Sequence, residues 1–336
     1  MRHTRCLFFA LILISITSTK ASAQDLNQFL DKSLADGEKL LEAYLAPAMN
    51  GISSGLNQGW YNSAGAHKVA GFDLTFTGNV MMIPSDEIWF TPNDVLGPES
   101  QIVLDENSPD FPNAPTIFGP GGDNHKPVFR DREGFGAEFT GPSGLDLKKN
   151  LGGNFVPVPM VQLGFGLPKG TDLKLRFIPQ VGSDVKANLF GIGVMHDIKQ
   201  WVPVMKNVPF DLSGFVGFTK MKIKAEFDDA SNPDQSSEIN MTAVNVQGII
   251  SKKISVLTLY GALGYNLAKS KFDMKGTYED EYTGATVTDP FTIGFSSSGP
   301  RATAGFRLKL AVITLHADYT LQKYSCFSFG LGISVR

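Results

Sequence analysis

The chain has 336 residues, 42% of them apolar and 19% charged, with a formal net charge of −3. Low charge with this much apolar content excludes a disordered chain, and the lack of a basic excess leaves no footprint for nucleic acid. Past the first segment no apolar run reaches the ~20 residues of a spanning helix, which excludes a helical membrane protein.

Residues 1–23 read as a secretory leader. Arg2 and Arg5 open it, Cys6 to Ile16 is almost wholly apolar, and Ala21-Ser22-Ala23 supplies the small-x-small pattern, so cleavage is expected after Ala23. Loss of Cys6 leaves Cys326 alone, and no intramolecular disulfide can form. An exported chain of this size without disulfides needs a large core or closed backbone pairing.

Residues 24–66 are a helix and linker that could fill a lumen as a plug. Leu26, Phe29, Leu30, Leu34, Leu40, Leu41, Tyr44 and Leu45 recur near period 3.6 between Asp25 and Leu45, while Asp31, Lys32, Asp36, Glu38, Lys39 and Glu42 mostly take the other positions. Asp25 can cap the start and Pro47 is expected to end the helix. The apolar stripe must bury against something. Gly51 to Lys68 reads as a small-residue linker carrying Trp60 and Tyr61.

From 67 to 336 the period changes to two. Phe306, Leu308 and Leu310 alternate with Arg307 and Lys309; Ile313, Leu315, Ala317, Tyr319 and Leu321 alternate with Thr314, His316, Asp318 and Thr320; Phe327, Phe329, Leu331, Ile333 and Val335 alternate with small or polar residues. Such strands put the apolar face inward in a soluble barrel and outward in a membrane barrel. Strands are expected in one direction near 69–83, 127–139, 172–179, 209–227, 255–272 and 312–322. The reverse strands are expected near 100–118, 155–167, 185–197, 238–250, 301–310 and 326–336, the segment 100–118 being interrupted by Pro109, Pro112 and Pro115. Joins at 168–171, 251–253 and 311–312 are short; those at 84–99, 140–154, 228–237 and 273–300 are long and polar, the outer-membrane pattern. Within 209–227 the apolar phase changes near Thr219, which reads as a β-bulge. Residues 199–209 are too long for a turn, and Trp201, Val202, Val204 and Met205 suit the headgroup level.

The stretches GLNQGWYNSAGAHKVAGFDLTFTGNV (55–80), GIGVMHDIKQWVPVMKNVPFDLSGF (191–215) and GLGISVR (330–336) resemble an uncharacterised family of Bacteroidota-type outer-membrane barrels, classed as a domain of unknown function. The resemblance spans most of the mature chain and implies a fold, with no activity. More loosely, a helix ahead of a barrel is similar in architecture to long-chain fatty-acid transporters, whose N-terminal hatch plugs the lumen. The chain ends on Arg336 after Val335, where many outer-membrane barrels end on phenylalanine.

Motifs for chemistry are few. His3, His67, His125, His196 and His316 have no metal-ligand spacing, and Gly164 to Thr171 lacks the Gly-Lys-Ser/Thr order of a phosphate loop. The acidic groups Asp105, Glu106 and Asp110, Asp228, Asp229 and Asp234, and Glu279, Asp280 and Glu281 match no calcium loop. No cofactor, metal or catalytic residue is expected. Arg307, Lys309, His316 and Asp318 are the candidate lumen-facing residues; His316 and Asp318 fit either a base with its orienting acid or two solvated lumen side chains.

The expected fold is therefore all-β: a transmembrane antiparallel barrel of about twelve strands (12–14) over 67–336, with an N-terminal amphipathic helix. It is expected in the cell outer membrane, in contact with outer-membrane lipid and lipopolysaccharide. Its expected function is passive passage of a small hydrophobic molecule past the plug, with a non-conducting structural or interaction barrel as the alternative.

Overall fold

The computed structural model describes residues 34–132, 138–182, 185–205, 208–226, 235–279 and 286–335. The leader and positions 25–33 of the expected helix lie outside them. Ten antiparallel strands form a closed meander: β1 (Phe72–Met82), β2 (Phe155–Leu167), β3 (Thr171–Val181), β4 (Val185–Asp197), β5 (Asp211–Glu226), β6 (Ser236–Ile254), β7 (Leu257–Lys275), β8 (Phe291–Leu310), β9 (Ile313–Leu321) and β10 (Cys326–Val335). Closure is made by β1, which pairs with β2 on one side and β10 on the other, so the sheet has no free edge.

The strand number corrects the expected twelve. The described residues of segments 100–118 and 127–139 do not join the barrel. They supply Ile102–Leu104, Ala114–Pro115, Val128–Asp131 and the start of Phe139–Thr140 to small two- and three-stranded sheets within an insertion, 83–154, between β1 and β2. Their apolar residues serve a local core instead: Ile102, Leu104, Phe129 and Phe139 pack with Leu96 and Leu40. The expected long loop 273–300 is also shorter, because β7 runs up to Lys275 and β8 starts at Phe291.

Joins of β2 to β3, β6 to β7 and β8 to β9 are tight and lie at one end, the short-turn end, with the 13-residue segment 198–210. The turns use left-handed residues where the chain must reverse: Lys169 and Gly170, Ser255, and Ala311 all have positive φ. The insertion and the joins 227–235 and 276–290 lie at the other, long-loop end.

The polarity of the wall decides which solvent the barrel meets. Outward side chains over the short-turn half are apolar and exposed, among them Leu263 at 72%, Phe177 at 66% and Phe329 at 59%. The inward face there is polar: Asp73, Thr75, Gln162, Arg176, Asn245, Gln247, Arg301, Thr303, His316 and Asp318 are all buried. Apolar outside and polar inside is the arrangement of a membrane barrel. On β6 the outward positions Val244, Val246, Gly248 and Ile250 carry this apolar band, with Lys252 and Ile254 following at the short-turn end.

Toward the long-loop end the polarity inverts. Met81, Val156, Val158, Met241, Phe291, Ile293 and Phe295 point inward and are buried, while outward positions are Lys220, Thr242, Lys269, Thr292 and Ser296. The barrel thus has two storeys, one dressed for lipid and one for water. This explains β5 and corrects the expected bulge. Pairing of β5 with β4 and with β6 runs through Thr219 without a shift. Even-numbered residues face outward throughout; what changes at Thr219 is the surrounding medium. The register shift that does occur lies in β3, between Ile178 and Val181.

The helix α1 (Leu34–Gly55) corrects the expected end at Pro47, which lies inside it. Proline there removes one N–H donor, yet α1 continues because its second half is enclosed by the barrel wall, with Met49 and Leu56 in the upper-storey core. The opened turn is used: the Tyr44 carbonyl accepts the Ile117 N–H of the insertion at 3.1 Å. The first half of α1 is a structural part of that insertion. Asp36 accepts from Ser100 Oγ at 2.7 Å, Tyr44 Oη donates to Ser143 O at 3.0 Å, and Leu40 is fully buried. Leu40→Ala is expected to cost about 2–5 kcal/mol in the insertion's stability. Limited proteolysis should then cut the insertion while the barrel keeps its heat-modifiable mobility.

Candidate functional site: the plugged lumen

From α1 the chain descends the lumen in order. Gly55 lies against Val158 and Met81 in the upper storey, leaving no room for a Cβ, which would sit 2.6 Å from Val158 Cγ2. Asn57 Nδ2 donates to Val244 O (3.2 Å), Tyr61 Oη to Gln247 Oε1 (2.6 Å), and the Ala64 N–H to Ser251 Oγ (3.0 Å). At the short-turn end the His67 N–H and Nδ1 meet Asp172 at 2.9 and 2.8 Å, and β1 follows. The segment therefore threads the barrel from the long-loop face to the short-turn face.

Two buried arginines hold it. Helix α1 has no basic residue in its last turn and ends at Gly55, so the carbonyls beyond it need outside donors. Arg176 donates to Leu56 O at 2.9 Å and Gln58 O at 2.5 Å. Arg301 donates to Asn57 O at 3.0 Å, Gln58 Oε1 at 2.7 Å and Asn266 Oδ1 at 3.0 Å. Three successive plug carbonyls are thus taken by two guanidiniums from opposite parts of the wall. Neither guanidinium bonds a carboxylate; the negative end of the α1 dipole supplies the local counter-charge. Arg176 also lies 3.6 Å above the Trp60 ring, a desolvated cation–π contact.

Trp60 fills the middle of the lumen with Tyr61, Phe215 and Tyr260. Its space is made by Gly193 and Gly217, paired across β4 and β5, where an added Cβ would fall 2.9 Å from the indole. Trp60 and Arg176 are at most 1% exposed. The lumen at this level is closed by side chains.

A scan against family models matches residues 1–335 to a family of unknown function, DUF6588. The chain belongs to that family. No curated protein matches it. Among solved structures it is similar to Ail, the attachment invasion locus protein of Yersinia pestis, at 10% identity and TM-score 0.27 over 80% of this chain and 99% of that one. It is also similar to the translocator domain of the autotransporter NalP from Neisseria meningitidis, at 11% identity and TM-score 0.31 over 86% and 93%. The beta domain of the Bordetella autotransporter BrkA gives 9% identity and TM-score 0.29 over 80% and 99%. Likenesses this distant carry no argument about activity.

In this DUF6588 chain the four sequence-selected residues lie below the plug's clamp. Arg307 and His316 are register partners on β8 and β9. Lys309 Nζ donates to Ser334 Oγ at 3.1 Å. Asp318 Oδ2 accepts the Tyr260 hydroxyl at 2.7 Å, and His316 Nδ1 is buried without a partner, so these two are not a base and its orienting acid.

A different grouping has the order of a serine relay: Ser334 Oγ lies 3.4 Å from His67 Nε2, and His67 Nδ1 lies 2.8 Å from Asp172 Oδ2. Asp73 Oδ1 shares the same Nε2 at 3.5 Å, Lys309 holds the serine oxygen, and Ser334 is buried. The group acts as a fastening between the linker, β3 and β10.

Sequence reasoning missed Arg176, Arg301, Trp60 and His67. For Arg176 a signal existed: in Asp172-Leu173-Lys174-Leu175-Arg176-Phe177 the charged residues alternate onto one face. For Arg301 none did, because its partners are mainly backbone and amide groups.

Outside the lumen, a groove of about 360 Å³ lies on the insertion, lined by Asn93, Asp94, Gly97, Pro98, Val103 and Arg132. Nearby, the Asn107 backbone N–H at 2.7 Å, with its side-chain amide and Arg130, holds the Asp105 carboxyl below the usual carboxylate range. A depressed folded value means this tie is at full strength above the unfolded pKa of about 3.9 and is lost as pH falls through the folded one. Protease protection of 105–130 is expected to fall only below about pH 4, and Asp105→Asn should remove that step.

Proposed function

We propose that this protein is an exported outer-membrane barrel, released from its leader after Ala23, that is closed as built and acts at its long-loop face as a structural or interaction protein of the cell envelope. The observation that carries this reading is the clamp: Arg176 and Arg301 bind three successive plug carbonyls, with Trp60 packed beneath. A hatch meant to leave readily would not be held by buried charges whose release strands several carbonyls. The upper end of the plug is folded into the insertion, so withdrawal toward the short-turn side would also dismantle that module.

A second reading is passage of a small hydrophobic molecule along the plug. It is favoured by the apolar upper-storey wall around α1, where Met81, Val156, Val158 and Phe295 surround Met49 and Leu56. Planar-bilayer recording of the intact protein separates the two. The closed reading expects a silent membrane from protein that shows heat-modifiable mobility; steady steps from the intact chain would favour passage.

A further inference from the structure

On the outer wall, the pairing of β5, β6 and β7 aligns outward residues in rows. Phe218, Val244 and Leu267 form the last apolar row. The next outward row is Lys220, Thr242 and Lys269, and the one beyond it is Lys222, Asn240 and Lys271. Within one step along each strand the wall changes from hydrocarbon-seeking to basic. Strand spacing of ~4.8 Å and a rise of ~3.4 Å per residue place the four lysines around Thr242 and Asn240 in a frame of about 10 by 7 Å.

The frame is local. In the same register rows β4 presents Phe190 and Asn188, and β8 presents Ser296 and Gly294. The lysines therefore do not form a ring around the barrel; they stand on two strands astride β6. Lys222 is paired with Glu238 at 3.0 Å and Lys271 with Asp273 at 2.7 Å. Lys220 and Lys269, the pair nearest the lipid edge, have no hydrogen bond or ion pair among the described residues. Two unpaired ammonium groups two strands apart, with a hydroxyl and an amide between them, sit where lipid headgroups meet the barrel.

We propose that Lys220 and Lys269, with Thr242 between them and Lys222 and Lys271 behind, bind the phosphate of a lipid headgroup in the leaflet at the long-loop end. The four-lysine frame matches one phosphorylated glycolipid headgroup, and the apolar row of Phe218, Val244 and Leu267 beneath it receives the acyl chains. The site rests on the lower storey being lipid-facing and is independent of whether the barrel conducts. Near an anionic surface each lysine contributes about fivefold in affinity, screened by salt.

The test uses full-length protein in nanodiscs of zwitterionic lipid containing a few per cent diphosphoryl lipid A, with retained lipid counted by native mass spectrometry. The expected result is one lipid A held per chain, weakened about 30-fold at low salt by Lys220→Gln with Lys269→Gln. The same charge removal at the short-turn end, Lys252→Gln with Lys253→Gln, should leave retention unchanged. Equal loss in both pairs would reduce the effect to net charge and overturn the site, as would no retention by the wild type. Displacement of the lipid by millimolar inorganic phosphate would assign the frame to free phosphate and overturn the lipid assignment. Heat-modifiable mobility reports folding of each variant, and if the double variant fails to fold, Lys269→Gln alone is read against an expected fivefold loss.

Discussion

Replacing Arg176 and Arg301 together by alanine is expected to open the barrel. Each guanidinium is buried and donates to plug carbonyls past the end of α1; Thr219 Oγ1 also reaches Leu56 O and Asn245 Nδ2 also reaches Asn57 O, whereas Gln58 O is held by Arg176. Removing one leaves buried acceptors unsatisfied at about 1–3 kcal/mol each, and truncating a member of a buried charged set costs about 3–5 kcal/mol. The second replacement acts on neighbouring peptide units and on the same Gln58, so the two effects should not add. The single variants should lower the temperature of the heat-modifiable transition; the double variant should also conduct, because Trp60 loses its cation and the linker its hold. A silent double variant with unchanged thermal mobility would show that something other than the arginines keeps the plug in place.

Leu263→Arg is expected to block assembly into the membrane, whereas Ser296→Arg is not. Both positions face outward, on neighbouring strands β7 and β8. Leu263 is 72% exposed in the lower storey, in a row with Gly248 and Ala302. A charge there enters hydrocarbon at about 2–4 kcal/mol near the bilayer midplane. Ser296 pairs with Lys269, above the apolar row, where an arginine meets water and costs within about 0.5 kcal/mol. Urea titration in lipid bilayers measures both. Equal costs would contradict the division into two storeys.

The same division explains what could be read from the sequence. Strands β9 and β10 and the 301–310 part of β8 were legible because their apolar residues keep one phase within the lipid band; the earlier part of β8, where Phe291, Ile293 and Phe295 turn inward, was not. In β5 the phase reverses, since Phe218 and Ile223 both seek apolar surroundings that lie outside the wall at one level and inside it at the other. A sequence shows the alternation and leaves open which face is wet.

The insertion misled for a related reason. Ile102 and Leu104 alternate as a barrel strand would, but their partners are Leu40 and Phe129 in a small separate core. The segregation of short turns to one end needs only local residues, and it was readable. The plug was legible as an amphipathic helix that needed a partner. Its clamp was not, because Arg176 and Arg301 recognise backbone carbonyls, and a carbonyl has no residue identity.

The chain threads its own barrel from the long-loop face to the short-turn face, and on the proposed reading the long-loop face is the outer one. Cysteine labelling on intact cells tests it most directly, since the native Cys326 is fully buried. Glu42, on the exposed side of α1, and Lys252, at the short-turn end, are each replaced by cysteine and treated with a membrane-impermeant maleimide. The expected result is labelling of Glu42→Cys on intact cells and of Lys252→Cys only after the outer membrane is opened. Protection of Glu42→Cys until the membrane is opened would contradict the threading.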